Sequence, residues 1–237
     1  MRGYDDPCGI ARALGLIGER WALLVVRELV LGPKRFSDLR RGLPGISENV
    51  LSQRLRELEH ANLVRRRRFA PSSTSAYELT DRGRELEPVL MALRRWGEHA
   101  PLSDTTRPDL GVDALILALT GRFTGNDATP HDAVVHLRLD DDHFRLTIKN
   151  RQLQAKRAEV DDADTTITTT TTTLQSLVFA ERTVADAERS GDMTITGDRD
   201  TAEHLLHSSQ HNSKAPPAPS TTEPSRDPAR PNGGGDR

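Results

Sequence analysis

Asn49, Gln53, Arg56 and His60 follow one another at steps of four, three and four residues, the spacing that lines side chains along one face of an α-helix. Leu51, Leu55 and Leu58 fall on the opposite arc of the same segment. A helix laid in the major groove of DNA needs this division, with leucines anchoring it behind and amide and guanidinium groups reading base edges in front. Asn and Gln match adenine and Arg matches guanine, each good pair contributing about 1–3 kcal/mol of discrimination. The first turns of such a helix enter the groove deepest. Ser47, Asn49, Ser52 and Gln53 are therefore the expected base contacts, with Arg56 placed for a guanine or for a phosphate. Between Lys34 and Arg68 the chain holds ten Lys or Arg against four Asp or Glu. Lys34, Arg35, Ser37, Arg54, Arg66 and Arg68 are the expected contacts to the sugar–phosphate backbone, which fix register without reading sequence.

The surrounding elements have to hold that helix. Residues 8–17 carry apolar side chains at helical spacing, with Pro7 suited to a first turn. Arg20 to Leu31 is apolar nearly all round, as in a helix buried at the centre of a small bundle, and Gly32-Pro33 stops it. Ser37 to Leu43 is a short helix ended by Pro44-Gly45, and Ser47 caps the next helix, which runs to about Ala61. Leu63–Ala70 and Ala76–Thr80 alternate as two strands around the polar turn 71–75. A further helix starts at Thr80 or Asp81 with Leu86, Val89, Leu90, Leu93 and Trp96 on one stripe. Pro88 lies inside it and is expected to kink it. This is the order of a winged helix-turn-helix. The bland reading, a merely solvated helix face, loses weight because Arg65–Arg68 follow directly on a strand.

The fold class expected is α+β: a winged helix-turn-helix over 1–100, a linker over 101–110, a small second α+β domain over 111–207 and a disordered tail over 208–237. The second domain should hold a helix from Val112, strands at Ala133–Leu139 and Phe144–Lys149 around an acidic tip, and strands within Leu153–Val160 and at Thr165–Thr169. Helices near 172–180 and 183–189, a strand at Met193–Thr196 and a helix at Arg199–His207 complete it. The threonine run 168–173 reads as a strand passing into a helix cap. From Ser208 onward no large apolar residue remains to offset chain entropy.

Composition narrows the function. Of 237 residues 35% are hydrophobic and 4% aromatic. The net charge of −2 conceals a first hundred residues at +5 and a remainder at −7, so the basic half is the candidate polyanion binder. Apolar runs such as Ala22 to Val26 are too short to span a bilayer, and a cytoplasmic location is expected. One cysteine excludes an internal disulfide and a cysteine-rich zinc site. A nucleophile elbow, a phosphate-binding glycine loop and a credible carboxylate pair are absent, which argues against an enzyme. No cofactor and no metal are expected. His204, His207 and His211 lie at helical spacing without a completing carboxylate or thiol, and Asp140–Asp142 reads as a solvated hairpin tip.

Residues 8–97 resemble the HxlR-type winged-helix transcription regulators of bacteria. The matching stretches are C-G-I-A-R-A-L-G-L-I-G-E-R-W-A-L-L-V-V-R-E-L (8–29), R-F-S-D-L-R-R-G-L-P-G-I-S (35–47), V-L-S-Q-R-L-R-E-L-E (50–59), Y-E-L-T-D-R-G (77–83) and P-V-L-M-A-L-R-R-W-G (88–97). The resemblance implies a homodimer packed through the first helix and the Trp96 helix, with Ile10, Leu14, Leu86, Leu90, Leu93 and Trp96 at the seam. It also implies a repressor or activator. One departure stands out: many relatives carry a basic residue two or three positions before the strand tyrosine, where this chain has Thr74, Ser75 and Ala76 ahead of Tyr77. The arginines of the preceding strand are left to compensate.

Residues 110–207 resemble a sterol-carrier-like domain, on D-A-V-V-H-L-R-L-D-D-D-H-F-R-L-T-I-K-N (132–150), A-D-T-T-I-T-T-T (163–170), T-L-Q-S-L (173–177) and G-D-M-T-I-T-G-D (191–198). The resemblance implies an apolar tunnel. Leu115, Leu119, Phe144, Leu146, Ile148, Leu177 and Phe179 would line it, or would simply fill a core. Cys8, at a helix start, has two readings, a thiol sensor of the kind some such regulators use or a small buried residue in the dimer seam, and the second carries more weight. The expected function is a homodimeric, sequence-specific DNA-binding regulator, a repressor, on a near-palindromic operator, modulated by an apolar ligand or by thiol chemistry. Its partners would be double-stranded DNA, a second copy of itself and a small apolar molecule, with no membrane. The rival is a lipid carrier in which the basic domain serves as an adaptor.

Overall fold

The structure, a computed structural model, describes residues 5–68, 75–98, 110–125 and 132–210. The expected wing tip at 71–74, most of the linker, the tail beyond Gln210 and His211 lie outside the described residues.

The first unit is built on α2 (Ala22–Val30), whose Val25, Val26 and Leu29 are fully enclosed. Around it stand α1 (Gly9–Ile17), α3 (Phe36–Gly42) and α4 (Glu48–His60), with Leu39, Leu43, Leu51, Leu55 and Leu58 completing one core. Strands β1 (Val64–Arg68) and β2 (Ser75–Leu79) pair antiparallel, Arg66 opposite Tyr77. Lys34 adds one bridge to β2: its N–H donates to the Tyr77 carbonyl at 3.0 Å and its carbonyl accepts from the Tyr77 N–H at 2.8 Å.

The stripe around Pro88 is not one kinked helix. Thr80 caps a single turn, α5 (Asp81–Arg84), by accepting from the Gly83 N–H at 3.0 Å, and α6 (Glu87–Gly97) starts anew with Pro88 in its first positions. Proline lacks the N–H that a continuous helix would send back to Arg84, so the chain restarts, which suits a first-turn proline better than a bend.

The second unit has five strands, β3 (Asp132–Leu139), β4 (Asp142–Lys149), β5 (Gln152–Arg157), β6 (Thr165–Thr169) and β7 (Met193–Gly197), in the order β5-β4-β3-β6-β7. Only β3 and β6 run parallel. Helices α7 (Val112–Arg122), α8 (Thr171–Val178) and α10 (Arg199–Gln210) share one core with the sheet, joined by α9 (Val184–Arg189). The threonine run divides as its chemistry suggests: β-branched residues through Thr169 make the strand, and Thr170 caps α8 by accepting from the Thr173 N–H at 3.2 Å. Helix α10 passes the expected end at His207 and runs to Gln210, with Ser209 wholly buried and its hydroxyl donating to the Leu205 carbonyl at 2.9 Å.

The two units meet directly. Leu31, just after α2, belongs to the second core, and its carbonyl accepts from the Arg157 N–H at the end of β5, at 2.9 Å.

Candidate nucleic-acid interface

Ser47 opens α4 with its hydroxyl accepting from the Val50 N–H at 3.3 Å, satisfying one of the helix's free donors. Leu51, Leu55 and Leu58 are 0–1% exposed, while Asn49, Gln53, Arg56 and His60 face solvent and Ser52 is half-buried. Gln53 donates from Nε2 to Glu57 Oε1 at 3.0 Å, so its amide has to leave that carboxylate to reach a base. Arg56 has no hydrogen-bond or ion-pair partner among the described residues. Arg40 pairs with Glu48 and ties α3 to the first turn of α4. Sequence reasoning missed that brace; the signal was an acid in a first helical turn facing a basic turn.

Two of the expected backbone contacts are elsewhere. Arg54 is 8% exposed, its guanidinium paired with Glu57 and, at 3.7 Å, with Glu19. It sits between the leucine arc and the polar face, where the long aliphatic stem packs down and the charge turns to carboxylates. Lys34 is likewise 8% exposed and serves an internal ion cluster. Arg35 and Ser37 remain exposed at the start of α3, the Ser37 hydroxyl donating to Asp38 at a long 3.4 Å.

On β1 the four arginines split by strand alternation. Arg65 and Arg67 reach the buried carboxylate of Glu78 on β2, at 2.7 and 3.7 Å. Arg66 and Arg68 lie on the other face and have no carboxylate partner among the described residues. Arg66 stands 6.0 Å over the Tyr77 ring and donates to the Ser75 hydroxyl from Nε at 3.0 Å and from Nη2 at 2.8 Å. Two arginines are thus spent on the wing, and two have no carboxylate partner among the described residues.

Behind this surface runs a chain of six charges of alternating sign. Arg27 pairs with Glu28 at 2.8 Å, and Glu28 with Lys34 at 2.6 Å. Lys34 also pairs with Asp113 of α7, Asp113 with Arg157 at 2.8 Å, and Arg157 with Asp142. Glu28 and Asp113 are at most 1% exposed. A side chain at Gly42 would overlap the Glu28 carboxylate, and one at Gly121 would overlap the Arg94 guanidinium, which donates to the Gly121 carbonyl at 2.8 Å. The sequence signal was available as acids inside apolar helices, Glu28 in α2 and Asp113 in α7, but the partners are far apart in the chain.

The exposed large apolar residues stand on helices α1, α2 and α6. Ile10 (72%), Leu14, Leu93 and Trp96 (76%) are open, joined by Leu24 and by Val89, neither of which is among the residues expected at the seam. Leu86 and Leu90 are half-buried against the chain's own core, so they serve intramolecular packing first. Cys8 is exposed at the start of α1, its N–H donating to Asp6 at 2.8 Å, and so is not a buried packing residue within the protomer. Among the described residues no group of His, Cys, Asp or Glu is arranged to hold a metal, and no helix is long and apolar enough to cross a membrane.

The residues proposed to line a tunnel are packed solid. Leu115, Leu119, Phe144, Leu146, Ile148 and Leu177 are 0% exposed, and Phe179 rests against the same core under the Arg122 guanidinium. Their side chains fill the space between sheet and helices. Two open clefts lie elsewhere. One, of about 640 Å³, separates α1 from Arg82–Leu86, and one of about 1010 Å³ lies between the two units.

A basic two-stranded wing beside a capped helix with a polar outer face defines a DNA-binding protein of the winged helix-turn-helix class. Residues 16–103 match the HxlR-like helix-turn-helix family, and residues 106–213 match the alkyl sulfatase C-terminal family. The chain is 40% identical over 94 residues to the uncharacterized HTH-type transcriptional regulator YkvN of Bacillus subtilis, covering 39% of this chain and 79% of that protein. Among solved structures, the reduced form of the transcriptional regulator YodB from B. subtilis is 33% identical, with 40% of this chain and 95% of that chain covered and a TM-score of 0.36. The sec-alkylsulfatase Pisa1 from Pseudomonas sp. is 22% identical over 43% of this chain and 16% of its own, with a TM-score of 0.36. The chain belongs to the HxlR-like helix-turn-helix family and is a DNA-binding transcription regulator. The family matched by residues 106–213 is that of a C-terminal domain of alkyl sulfatases, on the stretch where the sequence resembles a sterol-carrier-like domain.

Proposed function

We propose that the protein is a homodimeric repressor that seats two copies of α4 in successive major grooves of a near-palindromic operator, half-sites about one helical turn apart. The observation that carries this reading is the pairing of two exposed surfaces. Asn49, Gln53 and Arg56 form a polar face on α4, while Ile10, Leu14, Leu93 and Trp96 form an apolar face on α1 and α6 that a second copy would cover. Ser47, Asn49, Ser52, Gln53 and Arg56 read bases; Arg35, Ser37, Arg66 and Arg68 hold phosphates. Residues 1–100 act as the reading and pairing domain, and the unit from 111 to 210 is a sterol-carrier-like regulatory domain.

Footprinting on the DNA upstream of the protein's own coding region tests it. A protein with Asn49, Gln53 and Arg56 all changed to alanine, still folded and dimeric, should lose sequence-specific protection while keeping weak, salt-sensitive binding. Protection of the same bases by that variant would refute the reading. The rival, a lipid carrier in which the basic domain serves as an adaptor, is less favoured by the close packing of Leu115, Leu119, Phe144, Leu146, Ile148 and Leu177.

A further inference from the structure

The cleft of about 1010 Å³ lies where the two units meet, bounded by Val30–Pro33 and α6 on one side and by α7 and Gln152–Lys156 of β5 on the other. Its volume is at the upper end for sites that hold a small organic ligand. Arg84, Arg94, Arg95, Arg145, Arg151 and Lys156 line it, against two carboxylates, Glu78 and Glu87. Glu78 is engaged by Arg65, Arg94 by Glu98 and Arg145 by Asp162. Arg84 and Lys156 have no carboxylate partner among the described residues. Between the charges, Val30, Met91, Phe123 and Leu153 offer partly buried apolar surface. Such a wall repels cations, gives a neutral lipid nothing to orient it, and suits a molecule with one anionic end and an apolar body.

The cleft is also joined to the DNA-reading face. Val30–Pro33 runs directly into Lys34, whose backbone clamps Tyr77 of the wing and whose ammonium holds Glu28 and Asp113. Gln152–Lys156 runs directly into Arg157, whose N–H is bonded to Leu31 and whose guanidinium holds Asp113 and Asp142. An occupant bears on both segments, and Asp113 is where their charges meet.

We propose that this interdomain cleft is an effector site for an amphipathic monoanion, an acidic head on an aliphatic tail, and that occupancy loosens the grip of Lys34 on the wing and lowers operator affinity. The regulatory half rests on the DNA-binding reading; the binding half does not. Calorimetric titration of the full chain with decanoate and with decyl sulfate, below micelle formation, tests the site and shows which head it prefers, with decanol and inorganic sulfate as controls. One molecule per chain should bind in one or both anionic arms, and each control should bind at least about tenfold more weakly, decanol because it lacks the ionic hydrogen bonds and inorganic sulfate because it lacks the apolar burial of the tail. The pair Arg84→Gln and Lys156→Gln should weaken binding several-fold, and Leu153→Glu should abolish it, with unchanged circular dichroism. Saturating ligand should lower operator affinity about fivefold or more in gel-shift titration. Absence of saturable binding by both anions, equal binding of decanol, or binding unmoved by the variants would overturn the site. Ligand binding with operator affinity unchanged would overturn the coupling, and a failure to bind operator without ligand would instead refute the DNA-binding reading.

Discussion

Arg54 and Arg56 are two positions apart on α4 and have opposite fates. Arg54 lies nearly buried between Glu57 and Glu19, and Arg56 stands in solvent without a partner among the described residues. Binding to DNA should therefore respond to them differently. Arg54→Gln is expected to lower thermal stability and leave the salt dependence of binding alone. Arg66→Gln and Arg68→Gln should each reduce the slope of log affinity against log salt by about 1, since each releases one phosphate contact. Gel shifts across a salt series measure both. At the same scale His136, whose Nε2 lies 3.0 Å from His143 Nδ1, is held below the ordinary imidazole value of 6.5. Burial is the main cause, followed by the charges of His143 and Arg138, with Glu159 and Asp161 opposing. Below that value the unfolded chain takes up a proton that folded His136 resists, so stability rises with pH through that window and is lost on acidification. The urea midpoint should fall between about pH 7.5 and about pH 5.5, and fall less in His136→Gln.

Elements behave as units with one committed face each. Helix α4 is held by Leu51, Leu55 and Leu58, and Leu55→Ala should cost about 2–5 kcal/mol in denaturant melts, because the hole left in a tight core is only partly refilled. Helix α6 commits the other way: Leu90 packs inward, while Leu93 and Trp96 stay open. Trp96→Asp is expected to leave the fold intact and shift sedimentation from dimer to monomer, since a charge in an apolar seam loses its water without gaining a partner. Dimerisation unchanged by this substitution would move the seam elsewhere.

Across the whole molecule the two units are fastened by the alternating ion chain from Arg27 to Asp142 and by the Leu31 carbonyl on Arg157. Removing one member from a buried pair is more damaging than the pair is stabilising, because the remaining charge keeps its desolvation cost. Asp113→Ala should destabilise the chain by about 3–5 kcal/mol and separate one cooperative unfolding transition into two. A single unchanged transition would show that the units are joined by apolar contacts alone.

The polar and leucine faces of α4, the strand alternation, the cap at Ser47 and a helix cap somewhere in the threonine run 168–173 were legible in the chain, since each depends on neighbours within a few residues and on a fixed helical or strand period. The burial of Lys34 was not, because its partners Glu28 and Asp113 come from separate elements and Asp113 from another unit. The restart at Pro88 lay within reach of local rules, which allow either a kink or a new first turn, and the chain takes the second. Whether Leu115, Phe144 and Leu146 enclose a tunnel or fill a core could not be read from their apolar character, which is the same in both cases. Packing of α7, α8 and α10 onto the sheet settled that, because the distance between layers fixes whether side chains from the two sides meet.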